Sequence, residues 1–308
     1  MIKQVTSQAA SVGGSTSEKL SVSEGVPVSK NQPTPRKHPS RLSPSGAAMF
    51  EQCPKRWRFR YIDKLPDPPG LAALVGTFAH RVLEMLLQEQ PENRTLEQVK
   101  ILAKSSWSDF AASQDYQRLR LDEQQTRDFK WRAWHAIEGL WALEDPVAVK
   151  VQAVEVKVKS MLDGIPFTGV VDRIDLEPDG LVVTDYKSGR YPPVRVHQDR
   201  LRQVLMYAAA VEADTGMMPA QARLYYLGQG VVCTPVTEEN LSEVVQELTI
   251  TWHEILEACS KDVFEPRPGP LCGYCSYTRH CPEGQAYVEI RTARKAAEEE
   301  SLLHSVRG

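Results

Sequence analysis

No run in the 308 residues is apolar over the twenty or so positions that a membrane-spanning helix takes. The most apolar stretch, LAALVGTFAHRVLEMLL, is interrupted by His80, Arg81 and Glu84. The N-terminus has no charged start leading into an apolar core, so no secretory leader is read and a cytoplasmic protein with no membrane association is expected. No internal repeat is visible. No GxxxxGK[ST] phosphate loop occurs, which excludes a recognisable helicase motor on this chain. Cysteine is scarce, at six residues, and in a chain read as unsecreted these point to metal or redox chemistry more than to disulfides. Net charge is small, at −3, which taken alone would speak against a nucleic-acid partner.

That total averages over a patchy sequence. Lys30 to Lys64 holds nine Lys/Arg against two acids, Glu51 and Asp63, whereas the tail carries EEE at 298–300. Local clusters, not the sum, set the footprint offered to phosphates. Hydrophobic residues make up 42% and charged residues 25%, ordinary for a soluble globular chain.

Residues 1–40, rich in Ser, Thr, Gly, Pro and Gln, read as a disordered tail. Folded structure is expected from LSPSGAAMFEQCPKRWRFRYIDKL, with Ser43 or Ser45 capping a helix and Pro44 in its first turn. GTFAHRVLEMLLQE reads as an amphipathic helix with Phe78, Val82, Met85 and Leu86 on one stripe. A helical insertion at about 90–145 follows, with helices at 95–113 and 120–143, the second carrying Trp131, Trp134 and Trp141. At 150 the period changes to alternation: VQAVEVKVKS, IPFTGVVDRIDLE and GLVVTDYKSG read as three strands separated by DG and PDG turns. A helix at 197–214, a strand pair within 221–236, a helix at 238–258 and a charged helix from about 286 complete an α/β arrangement with a mixed sheet.

The turn EPDG, 177–180, sets a register. Centred between Pro178 and Asp179, it pairs residues whose numbers sum to 357 and puts Asp172 opposite Asp185. Opposed Cβ atoms lie about 5 Å apart, where like charges destabilise. Asp185 and Lys187, two apart, share a face. A hard divalent cation relieves such repulsion, and Mg²⁺ is held by one or two carboxylates plus phosphate oxygens. Such an ion lowers the pKa of a water and steadies charge on a phosphodiester, with Lys187 placed to orient the water or offset developing charge. The plainer reading, a solvated hairpin with an Asp–Lys pair, holds unless other groups converge. Two sets offer themselves: His80 on a helix beside Gly76, which would permit close backbone approach, and Gln203 with Tyr207, one helical turn apart.

Taken in order, GTFAHRVLE, GVVDRID, TDYKSG and QVLMY resemble the RecB-family nucleases of the PD-(D/E)xK superfamily. The resemblance spans about 41–285 and implies a restriction-endonuclease-like core in one nuclease domain. It implies that His80, Asp172 and Asp185 bind the catalytic metal, Mg²⁺ or Mn²⁺, that Lys187 is the catalytic lysine, and that Gln203 and Tyr207 position DNA or support the site. Val171 stands where the superfamily's name expects proline. Glu155 is a weaker candidate for the active-site wall. One branch of the family, with AddB-type subunits and CRISPR-associated iron–sulfur exonucleases, brackets its core with cysteines. Cys53 precedes His80 here, and Cys272, Cys275 and Cys281 follow the core. Spacing alone leaves a [4Fe–4S] cluster and a four-cysteine Zn²⁺ site both open; the resemblance implies the cluster. Either centre would staple the termini through a C-terminal cysteine module, 272–281. Cys233 and Cys259 are read as unligated.

KRWRFRYIDK, 55–64, alternates cations and rings, which suits phosphate contact and base stacking; the same pattern on a helix packs its rings inward while its arginines reach solvent. The expectation is a metal-dependent DNA exonuclease in repair, recombination or defence, acting on ends or single strands, with a helicase or recombination protein on another chain as a compatible partner. The alternative is a non-catalytic DNA-binding or assembly subunit with a zinc staple.

Overall fold

The structure, a computed structural model, describes residues 38–307, with side chains through Glu298. The expected disordered tail lies outside the described residues except for its last three. Ser43 accepts a hydrogen bond from the Gly46 amide at 3.1 Å and Pro44 fills the first turn, so α1 (Pro44–Gln52) begins where its orphan amides are capped. Cys53 turns extended and Pro54 restarts the helix as α2 (Pro54–Tyr61). The long apolar helix α3 (Leu71–Gln88) starts five residues before the segment read from sequence. By length and composition it could span a membrane, yet half of it is buried inside the protein. Phe78, Val82 and Leu86 form its inner stripe as expected, while Met85 is only half-buried.

Next come α4 (Leu96–Ala112), α5 (Gln114–Arg118) and α6 (Glu123–Glu138). The helix expected to run to 143 stops at Glu138, and Trp141 falls in a single tighter turn, Gly139–Ala142. Gly139 explains the stop. Its carbonyl accepts the Gly228 amide at 3.1 Å, and a Cβ there would collide with the Gly228 backbone.

The strands are β1 (Val151–Val158), β2 (Met161–Leu162), β3 (Ile165–Pro166), β4 (Gly169–Glu177), β5 (Gly180–Lys187), β6 (Gln221–Tyr226) and β7 (Gly230–Pro235). The run read as one strand from Ile165 is thus split in two. Asp163 and Gly164, both at positive φ (47° and 76°), close a tight β2–β3 hairpin, and the chain after it bridges to Leu42 before β4 begins. The main sheet has the order β1-β4-β5-β6-β7. All its pairs are antiparallel except β5–β6, whose parallel crossover is made by α7 (His197–Thr215). The hairpin register agrees with the sequence reading, from Glu177↔Gly180 to Arg173↔Thr184.

Two apolar clusters sandwich this sheet. On one face Val183, Leu224 and Val232 pack with α1, α2, α7 and α8 (Glu238–Lys261). On the other Tyr186, Tyr225 and Leu227 pack with α3, α4 and α6. The last helix, α9 (Pro282–Arg307), follows the cysteine segment.

Candidate active site

The sheet opens where the acids sit. Between β1 and β4 the register runs through Val154↔Arg173 and Val156↔Val171, which sets Glu155 level with Asp172. Glu155 has φ 50°, and the strand inverts there: Val154 packs toward α3, Val156 toward α7. The β4–β5 ladder ends at Arg173↔Thr184, one pair short of Asp172 and Asp185. Instead of pairing through its backbone, Asp172 turns its carboxylate into the gap, where Oδ2 accepts the Tyr186 amide at 2.7 Å. Three strands therefore bring Glu155, Asp172 and Asp185 to one level. The expected face-to-face pairing is corrected in this detail, because the side chain replaces the missing backbone bond.

His80 enters from α3, its Nδ1 3.4 Å from Asp172 Oδ2 and its ring edge-on to Tyr186. Gly76, one turn earlier, lets α3 approach Ser188 so closely that a Cβ would lie 2.7 Å from its hydroxyl. Among the described residues, His80, Glu155 and Asp172 are the group of three whose ligating atoms fall within 4.8 Å of one another. Asp185 stands outside that trio, buried, with Lys187 Nζ 2.6 Å from its Oδ2. Oδ2 thus faces the ammonium and has no further partner among the described residues, which leaves it a free lone pair for a cation.

Helix α7 supplies the rest. Lys187 Nζ donates to Gln203 Oε1 at 3.0 Å, and Gln203 Nε2 donates to the Tyr207 hydroxyl at 3.2 Å and reaches Asp185 Oδ1 at 3.5 Å. Tyr207 lies flat on the start of β4 because Gly169 has no side chain; a Cβ would sit 2.6 Å from its ring. All six residues expected in the site are thus assembled, and Glu155 joins them.

The charges are unbalanced. Burial raises the Asp185 carboxyl above its ordinary value, with the charge of Asp172 adding to it and Lys187 opposing. Burial likewise raises Glu155, reinforced by Asp172 and Glu84. For His80 burial acts downward, but the hydrogen bond and charge of Asp172, then Asp185 and Glu155, hold its pKa above the usual imidazole value. Two of the clustered carboxylates, Glu155 and Asp185, are pushed toward protonation and the nearby imidazole toward charge. A divalent cation would relieve both.

Beneath the site, Arg173 was not singled out in the sequence and is wholly buried. Its guanidinium donates to Glu144 Oε2 and Asp175 Oδ2, each at 2.8 Å, and to the Tyr186 hydroxyl at 2.7 Å. It holds the strand behind Asp172 and takes no part in the opening itself.

Cys272 and Cys281 come together near Gly284, and Cys53, at the α1–α2 junction, reaches the segment that leads to them through Arg267. Cys53 Sγ accepts the Arg56 and Arg267 amides, each at 3.5 Å, and Cys272 Sγ accepts the Gly269 amide at 3.4 Å. A Cβ on Gly284 would lie 3.4 Å from Cys281 Sγ and 3.7 Å from Cys272 Sγ. No three of these sulfurs fall within 4.8 Å of one another, whereas a tetrahedral zinc with bonds of about 2.3 Å brings them to about 3.8 Å. Cys233 is exposed on β7 and Cys259 buried in α8.

The segment 55–64 takes the packing option. Trp57 and Phe59 are buried, Arg58 pairs with Asp63 and Asp262, and Arg60 pairs with Asp67. Little of it is left for bases to stack on.

An acid cluster at a gap in a mixed sheet, with a lysine two residues from one acid, defines the class of nucleases that open phosphodiesters with a divalent ion. Residues 41–282 match the PD-(D/E)XK nuclease superfamily, and the chain belongs to it. Gene 69 protein of Mycobacterium phage D29 is 25% identical over 262 residues, covering 76% of this chain and 93% of that protein. Its counterpart from Mycobacterium phage L5 is 24% identical over 278 residues, with the same coverage. A solved structure of a provisionally assigned exonuclease from Eubacterium rectale aligns over 79% of this chain and 88% of its own, at 14% identity and a TM-score of 0.42.

Proposed function

We propose that this chain hydrolyses DNA phosphodiesters with a divalent ion held by His80, Glu155, Asp172 and Asp185, and that it works from strand ends. One observation carries the reading: three acids from three adjacent strands meet a histidine at the point where the sheet parts, with Lys187 beside them. A core built only for stability has no use for that repulsion.

The bound ion supplies a lowered water pKa and neutralises charge on the phosphate. The chain's own groups do the rest. Lys187, held between Asp185 and Gln203, offsets the charge that grows on the phosphate oxygens as water bonds to phosphorus and the ester oxygen leaves. Gln203 fixes the ammonium, and Tyr207 fixes Gln203. His80, already bonded to Asp172, fixes the direction of that carboxylate.

For the cysteines we infer a [4Fe–4S] cluster in place of zinc. The amide donors aimed at Cys53 and Cys272 suit thiolates bound to a metal centre, and the family resemblance favours the cluster over zinc. Its role is structural, since hydrolysis moves no electrons. A brown protein absorbing near roughly 400 nm agrees with this; a colourless one with stoichiometric zinc does not. The absence of a motor sequence fits a helicase or recombination partner on another chain, in repair, recombination or defence.

The deciding assay digests end-labelled single- and double-stranded DNA with Mg²⁺ or Mn²⁺. Asp185→Ala and Lys187→Ala should each lose at least about a hundredfold in rate. Equal cleavage by both variants and the wild type would remove the active-site assignment.

A further inference from the structure

Beside Lys187 lies a cleft of about 590 Å³ between the N-terminus of α1, the first turns of α7 and the strap that follows β5. Four cations line it: Lys187, Arg190, Arg200 and Arg202. They are not equivalent. Arg202 is bound to Glu51 and to Glu247, so its charge is spent inside the fold. Lys187 is held by Asp185 and Gln203. Arg190 and Arg200 have no carboxylate partner among the described residues, and both are exposed. Asp199 also lines the cleft, leaving the excess of charge positive.

The strap carrying Arg190 is anchored far more firmly than an exposed loop needs. Gln229, in the β6–β7 turn, grips the backbone on both sides of that residue: its Nε2 donates to the Gly189 carbonyl at 2.7 Å and its Oε1 accepts the Tyr191 amide at 2.9 Å. The Tyr191 hydroxyl bonds the Val231 carbonyl at 3.3 Å, its ring meets Tyr226 and His197 edge-on, and Gly230 leaves the space it fills. His197 Nε2 lies 3.1 Å from the Pro192 carbonyl. These bonds fix the backbone under a side chain that makes no hydrogen bond or ion pair among the described residues. Such preorganisation suits a ligand arriving from outside.

We propose that Arg190, with its backbone positioned by Gln229, and Arg200 opposite on α7 bind backbone phosphates of the DNA strand next to the one cut beside Lys187. The proposal rests on the nuclease reading and names the substrate contacts outside the reacting phosphate. Guanidinium groups match phosphate oxygens in pairs, and two of them spaced along a cleft hold a strand by its backbone, whatever its bases. The strand then enters between α1 and the strap.

The test measures binding of a fluorescent oligonucleotide by the full chain without added divalent ion, and cleavage with Mn²⁺ separately. Arg190→Ala and Arg200→Ala should each weaken binding about tenfold on both oligo-dT and mixed sequence, and lower the slope of log K against log salt by about 0.7. KM should rise with kcat held. Arg127→Ala, on α6 outside the cleft, should change neither, and Arg190→Lys should restore the salt slope. Gln229→Ala should weaken binding in the wild-type background and have no further effect in Arg190→Ala, which a merely structural role would not produce. Unchanged affinity and salt slope in both arginine variants would overturn the proposal. If the wild type binds DNA through these arginines yet cuts none, the phosphate cleft stands and the hydrolytic reading fails.

Discussion

Glu155 is the residue on which the site's economy turns. It holds a left-handed backbone that costs on the order of 1–3 kcal/mol for a side chain of its kind, and it faces Asp172 with like charge. Glu155→Gln should keep or slightly raise the melting temperature while weakening Mn²⁺ binding about tenfold or more, read by calorimetric titration. Unaltered Mn²⁺ affinity would take Glu155 out of the ligand set. Glu51 works in the opposite sense. Burial acts to raise its pKa, but the hydrogen bonds of Arg202 and Thr251 prevail and hold it below the ordinary carboxylate value. A carboxyl with a depressed folded pKa stabilises the protein above its unfolded pKa, and that contribution is lost as pH falls through the folded value. Glu51→Gln should therefore cost about 1–2 kcal/mol at pH 7, and the gap in melting temperature to the wild type should close in acid, once the pH falls below the ordinary carboxylate range. A gap independent of pH would show that packing, not charge, is at stake.

At the level of elements, the edge of the opening depends on β4. The same strand carries Asp172 into the gap and Arg173 into the core, and the second anchors the first. Arg173→Met would leave Asp175 buried without its cation and free Glu144 from its fork. The expected loss is about 3–5 kcal/mol by denaturant unfolding, the range for breaking one side of a buried ion pair. A loss under about 1 kcal/mol would mean that the pair is dispensable to the strand. Helix α7 is the second such element. It closes the parallel β5–β6 crossover and carries Gln203 and Tyr207 to the lysine in the same stroke, so its position is fixed by packing before any substrate arrives.

Across the whole molecule, the proposed centre held by Cys53 and Cys281 would close a loop of about 229 residues, for which the chain entropy comes to on the order of 5 kcal/mol plus a constant. Tyr277 adds a second tie, with its ring on Phe59 and its hydroxyl on the Leu65 carbonyl at 3.3 Å. Cys272→Ala should lower both the melting temperature and DNA cleavage, with bleaching of any absorbance near roughly 400 nm. Full activity with an unchanged melting temperature would mean that the centre holds nothing together.

The chain by itself determined the helix start at Ser43–Pro44 and the hairpin register around Pro178–Asp179, each written in local chemistry, a cap and a turn. The roster of His80, Asp172, Asp185, Lys187, Gln203 and Tyr207, and the four cysteines as one ligand set, came from the resemblance, and their roles are the proposal made above. Only the tertiary structure decided that Glu155 joins them, since its place depends on the pairing of β1 with β4 and on an inverted strand that no periodicity announces. The same holds for Trp57 and Phe59 turning inward, for Arg173 as a buried anchor, and for Arg190 held over the cleft by Gln229. The physical reason is common to all of them. Side chains distant in sequence meet only after the sheet and helices have packed, and that packing alone selects which charges are neutralised and which remain free to bind.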